Sequence, residues 1–146
     1  MYSAIDVAKY TLEYCEKELN KPITNLQLQK LLYYMQGNSI LANDKILFIN
    51  DIQAWKYGPV VPDVYYWFNG YSSNCIKGIE KRDDMHFEEC DLEVIRNVIN
   101  KKIDIDPWKL VDDTHNELPW KENYIENMNC EIPITSLREN ISLFEL

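Results

Sequence analysis

The chain has 146 residues, 46% of them hydrophobic and 12% aromatic, and a formal net charge of −9 from 15 basic and 24 acidic side chains. That apolar content excludes a disordered chain, which buries too little to offset the entropy of ordering, and the length fits one domain over residues 1–146. The acidic balance excludes a phosphate-neutralising surface, because the densest basic cluster, Lys77, Lys81 and Arg82, runs straight into Asp83 and Asp84. No nucleic acid is expected as a partner, and a basic protein fits the field better.

The first helix is predicted from Ser3, whose hydroxyl and Asp6 make a capping pair. Ile5, Ala8, Leu12, Cys15 and Leu19 then share one helical face, and Asn20-Lys21-Pro22 ends it. Thr24-x-x-Gln27 is a capping box that opens a second helix running to about Leu41. Its apolar stripe is Leu28, Leu31, Leu32 and Met35, widened by Tyr33 and Tyr34, with Gly37 tolerated inside. The short turn at Lys21-Pro22 predicts a hairpin of these two helices.

Residues Ile46 to Trp55 read as short extended pieces, and Tyr57-Gly58-Pro59-Val60-Val61-Pro62 as a rigid elbow. Pro62 suits the first turn of a third helix with Val64, Tyr65 and Phe68 as contacts and Gly70 as its stop. Residues 71–86 read as a polar loop with a short strand near Gly78. A helix follows on Leu92, Ile95, Val98 and Ile99, then a shorter one from Asp106-Pro107 to Thr114. The last helix begins near Thr135 or Ser136 and uses Leu137, Ile141 and Phe144. The sum is a mainly α (α+β) fold: a compact helical domain with a small two- or three-stranded element between about Ile46 and Lys81.

Cys15, Cys75, Cys90 and Cys130 form no CxxC pair, and neither His86 nor His115 lies near a cysteine pair, so no metal site and no cofactor are expected. Asp6, Lys9 and Glu13 interrupt the first apolar run, so no signal peptide is expected, and no stretch nears the ~18 apolar residues of a membrane span. A cytoplasmic protein with reduced thiols and no membrane partner follows as the expectation.

His115-x-Glu117 invites an acid–base or metal reading, but a metal needs three or four ligands. The competing reading is a structural histidine bonded to backbone at a helix end. Trp55, Tyr57, Trp67, Trp108 and Trp120 could stack on bases, yet such platforms come with a basic groove. Core packing is therefore the expected role of these aromatics, with a protein interface as the other reading. The pairs Asp83-Asp84, Glu88-Glu89 and Asp112-Asp113 read as solvated faces, and no P-loop or G-x-S-x-G occurs. No enzyme is expected.

Three blocks in order carry a resemblance. Thr24-Asn25, then Leu28-Gln29-Lys30-Leu31-Leu32-Tyr33-Tyr34 and Gln36-Gly37, is the first. Ala54-Trp55-Lys56-Tyr57-Gly58-Pro59-Val60-Val61-Pro62-Asp63-Val64-Tyr65 is the second, and Thr114-His115-Asn116-Glu117-Leu118-Pro119-Trp120 the third. Together they resemble the Panacea antitoxin domain family, also called the phage-associated protein family, which occurs in bacteria and prophages. The resemblance implies an antitoxin of a toxin–antitoxin system that neutralises a cognate toxin protein by direct binding, or an adaptor that delivers the toxin to a host protease. Some members carry an added helix-turn-helix, for which this chain leaves no room. Two alternatives stand beside it: a phage accessory protein that binds a host factor, and a small hydrolase or transferase using His115 and Glu117.

The expected contact site is the elbow: Trp55, Tyr57, Gly58, Pro59 and Val60, with Tyr65 and Tyr66 at the start of the next helix. Pro59 and Pro62 restrict this segment before binding, so little ordering entropy remains to be lost on association. The other reading is that Gly58 and Pro59 only let the chain turn beneath the core, with Trp55 as packing.

Overall fold

Ser3 caps the first helix as expected, its hydroxyl accepting from the Asp6 backbone N–H at 3.2 Å. The computed structural model describes residues 1–146 and places α1 at Ala4–Glu13, which buries Ala4, Val7, Ala8 and Leu12. Rather than continuing as α-helix, the chain widens into a π-helical turn, Tyr14–Glu18, around the buried Cys15. Apolar spacing gives no warning of this, since one added residue per turn still keeps Cys15 on the inner side.

The second helix, α2 (Asn25–Asn43), starts on a complete capping box from Thr24 and Gln27. It packs against α1 and then against almost everything else. The apolar stripe expected from the sequence understates it, because Asn25, Gln29, Lys30, Gln36, Asn38 and Ser39 are buried as well. A helix enclosed on all sides must satisfy its polar side chains internally. Here they grip loop backbone. Gln36 donates to Phe48 O at 2.9 Å and accepts from Leu47 N at 2.8 Å. Asn38 donates to Phe144 O at 2.8 Å, and Gln29 accepts from Val61 N at 2.9 Å. At Gly37 any Cβ would fall inside the Phe144 ring, so this glycine makes room for the C-terminal segment.

Three short strands form one antiparallel sheet in the order β2-β1-β3: β1 (Ile52–Trp55), β2 (Gly58–Val60) and β3 (Cys130–Ile132). The third strand lies outside the interval expected from the sequence, which ended near Lys81. Three residues are too few to show an alternation, and β3 exists only through its long-range pairing of Ile132 with Ile52 and Cys130 with Ala54. The expected strand near Gly78 is reduced to a single bridge between Thr24 and Cys75.

The remaining helices are α3 (Pro62–Phe68), α4 (Glu89–Lys102), α5 (Pro107–His115), α6 (Leu118–Lys121) and α7 (Ile134–Glu139), with a 3-10 turn at Ile141–Phe144. The fold is thus mainly α with a small three-stranded sheet, as expected. No helix is long and apolar enough to cross a membrane.

Candidate functional site

The elbow is the β1–β2 hairpin. Trp55 pairs with Gly58, leaving Lys56 and Tyr57 as a two-residue loop. Neither loop residue has a positive φ; Gly58 takes it instead, at +107°. A Cβ there would also stand 2.7 Å from Lys30 Cε and from Thr114 Oγ1, so glycine serves both the backbone angle and a close approach. Pro59 sits on an edge strand, where a missing N–H costs no ladder bond. Its carbonyl accepts from Lys30 Nζ at 3.1 Å.

The seven expected contact residues divide into two groups. Tyr57 and Tyr66 are 48% and 59% exposed, and Trp55 and Tyr65 are half-buried with their rings edge-on at 5.0 Å. Gly58, Pro59 and Val60 are buried and form the floor that presents the others. Three aromatics for which the sequence favoured core packing are not there: besides Tyr57, Trp67 is 62% exposed and Trp108 56%. Val64 and Phe68 fix the inner face of α3 and Tyr66 falls opposite it, whereas Trp67 flanks the inner face beside Val64, with the Lys9 ammonium 5.4 Å from its ring. On α5 the buried residues are Leu110, Val111 and Thr114, and Trp108 lies roughly a third of a turn away. That helical-wheel position was the available signal for Trp108. Its ring meets Tyr57 edge-on at 5.4 Å, which extends the exposed aromatic ledge from the hairpin onto α5.

Behind the ledge is a cleft of about 340 Å³. Trp55, Tyr57 and Tyr65, Asn25 and Leu26 from the start of α2, and the buried Lys30 are among the residues that line it.

The Thr114–Trp120 block holds this hairpin from behind. His115 Nε2 lies 2.9 Å from Lys56 O, and its ring stacks on Trp120 at 4.1 Å. Trp120 Nε1 donates to Trp55 O at 2.8 Å. His115 therefore has the backbone-bonding role at a helix end that competed with catalysis. Glu117 has other partners: it accepts from the hydroxyls of Tyr33 and Tyr34, each at 2.9 Å. Burial pushes its pKa up, against the two phenol donors and Lys102, which pull it down. Burial and the adjacent carboxylate raise both phenols. The two members of the suspected acid–base pair are thus engaged with different parts of the chain.

One cluster offers metal-ligand atoms: Glu88, Cys90 and Asp91 lie within 4.8 Å of one another. The Lys45 ammonium already sits among them, 3.5 Å from each carboxylate and 4.0 Å from the Cys90 sulfur. Asp91 is further engaged by the Tyr2 hydroxyl at 2.6 Å.

Residues 28–121 match the family described as antitoxin SocA-like, Panacea domain. Antitoxin SocA of Caulobacter vibrioides (strain NA1000 / CB15N) is 45% identical over 51 residues, which are 35% of this chain and 27% of that protein. The chain is thus aligned with little more than a quarter of this curated relative's length. No solved structure matches the chain.

Proposed function

The chain belongs to the SocA-like Panacea-domain antitoxin family, and on that premise we propose that it neutralises a cognate toxin protein by direct binding through the aromatic ledge of the hairpin. The observation that carries this reading is the exposure of Tyr57, Tyr66 and Trp108 around one hairpin whose buried residues hold it rigid, with Tyr66 5.9 Å from Trp55 and Trp108 5.4 Å from Tyr57. Large aromatics left in water beside one another mark interaction surfaces, and Tyr and Trp are enriched where binding energy concentrates. Rigidity supports it too, because Lys30, His115 and Trp120 fasten the hairpin backbone before any partner arrives. Binding alone suffices for an antitoxin, which has to cover a site or hold a toxin inactive.

The test is co-expression with any small toxin-like gene that adjoins this one. The wild-type chain should restore growth and co-elute with the toxin. The double variant Tyr57→Ala/Trp108→Ala removes exposed rings only, so its stability should stay within about 1 kcal/mol of wild type, while rescue and co-elution are lost. A double variant that still rescues and co-elutes would place the contact elsewhere.

A further inference from the structure

Lys30 is a cation without a carboxylate. It is fully buried in the second turn of α2, and its single hydrogen bond goes to Pro59 O at 3.1 Å. Lys17, Lys21, Lys45 and Lys109 each hold an acidic side chain; Lys30 holds none. An ammonium has three donors, and burying an unpaired charge is costly. Burial accordingly lowers its pKa to about 7.

The surroundings carry the same sign. The residues lining the cleft include Lys30 and Lys56 and no Asp or Glu, although the whole chain has a net charge of −9. The backbone N–H groups of Asn25 and Leu26, the first two residues of α2, find no acceptor in the chain. Such groups at a helix start favour an anion. Leu26, Trp55, Tyr57 and Tyr65 supply apolar and aromatic wall. The volume, about 340 Å³, is at the low end of the roughly 300–1,000 Å³ range of small-ligand sites.

We propose that this cleft receives an Asp or Glu side chain of a bound polypeptide, with Lys30 as its counter-charge and the aromatic walls holding the apolar neighbour of that residue. The inference rests on the reading of the hairpin as a protein-binding face. A polypeptide lying along the ledge covers Tyr57 and Trp108 and reaches the cleft in the same pose, since Tyr57 belongs to both. A carboxylate brought to Lys30 restores the charged form that burial disfavours, so the pair forms where water competes least.

The experiment titrates the full chain, labelled for NMR, with the peptide acetyl-Phe-Asp-Leu-amide, its Asn counterpart and inorganic phosphate. The Asp peptide should shift the Lys30 Cε and Trp55 indole signals saturably, with the Asn peptide at least tenfold weaker. Lys30→Met keeps the side-chain length without the charge and should make the two peptides equal. If that variant does not fold, the Asp–Asn comparison on the wild-type chain decides alone. Equal binding of both peptides to wild type overturns the proposal, and so does phosphate saturating the same signals at lower concentration than the Asp peptide. The two readings fail separately. If the toxin does not co-elute but the Asp–Asn difference persists, the toxin reading falls and the cleft stands. If the toxin binds Lys30→Met as tightly as wild type and the peptides are equal, only the cleft inference falls.

Discussion

Replacing Lys30 by Met should stabilise the protein at neutral and mildly acidic pH, and the gain should shrink as the pH rises. The buried amine has a folded pKa of about 7 against an ordinary value of 10.5. Between those values the folded chain binds fewer protons than the unfolded chain, so wild-type stability rises with pH across this window. At about 1.4 kcal/mol per pKa unit, the penalty is on the order of 4–5 kcal/mol near pH 6 and about 2 kcal/mol at pH 9. Methionine removes this penalty and also the hydrogen bond to Pro59 O, which is worth about 1 kcal/mol. The net gain is therefore about 3–4 kcal/mol near pH 6 and about 1 kcal/mol at pH 9. Urea unfolding followed by tryptophan fluorescence at several pH values reads it directly. Stability curves for the two proteins that run parallel, within about 0.5 kcal/mol from pH 6 to 9, would refute the reasoning and show that Lys30 keeps its proton inside the fold.

Gly37→Ala should destabilise by about 2 kcal/mol or more, because its Cβ meets the Phe144 ring against a well-packed helix; thermal melting checks it. Glu117 has a folded pKa above its ordinary 4.5, so its contribution is fully present below that value and is lost as the pH rises through the folded one. Wild type should therefore lose stability relative to Glu117→Gln as the pH rises from about 4.5 toward neutrality, measured by melting curves for both. Thiol labelling should modify the exposed Cys75 first and Cys15 only on unfolding, since burial pushes the Cys15 pKa up to about 12. Mass spectrometry of timed samples gives the order.

Local chemistry made much of this fold legible. The Ser3 and Thr24 caps, the Asp106-Pro107 start and the Val94–Ile99 face all follow from neighbours in sequence. The parts that were not legible depend on distant partners. β3 is a strand because Ile52 and Ala54 pair with it, and the polar residues of α2 are buried because backbone from three distant segments, at Phe48, Pro59–Val61 and Phe144, comes to bond them. The same limit applied at the site. A rigid elbow was visible in Gly58-Pro59, though not its pairing as a hairpin, and the burial of the floor beneath it was the alternative already open. Lys30 passed as an ordinary helix lysine, because nothing within a few residues of it reveals that its end packs against Gly58 and bonds to Pro59 O. Trp108 could have been recovered from its angle on α5, whereas Trp67 sits one turn from the buried Val64 and its exposure gives no such signal.

The charge distribution links the two proposals. A body at −9 attracts a basic protein from a distance, and that field acts on encounter more than on the final fit. The cleft has the opposite local sign, with Lys30 and Lys56 and no acidic lining residue. A uniformly basic partner would be drawn in but would bring Lys30 no counter-charge, leaving the charged form as disfavoured as it already is in the free chain. A basic partner that also presents one carboxylate at the right place satisfies both fields. Selection therefore comes from the pair gained with a correctly placed carboxylate, which partners without one do not gain. The hairpin suits this role physically. Its exposed rings, Tyr57 and Trp108, supply area that many proteins could cover, whereas the buried ammonium behind them tests a single group on the partner.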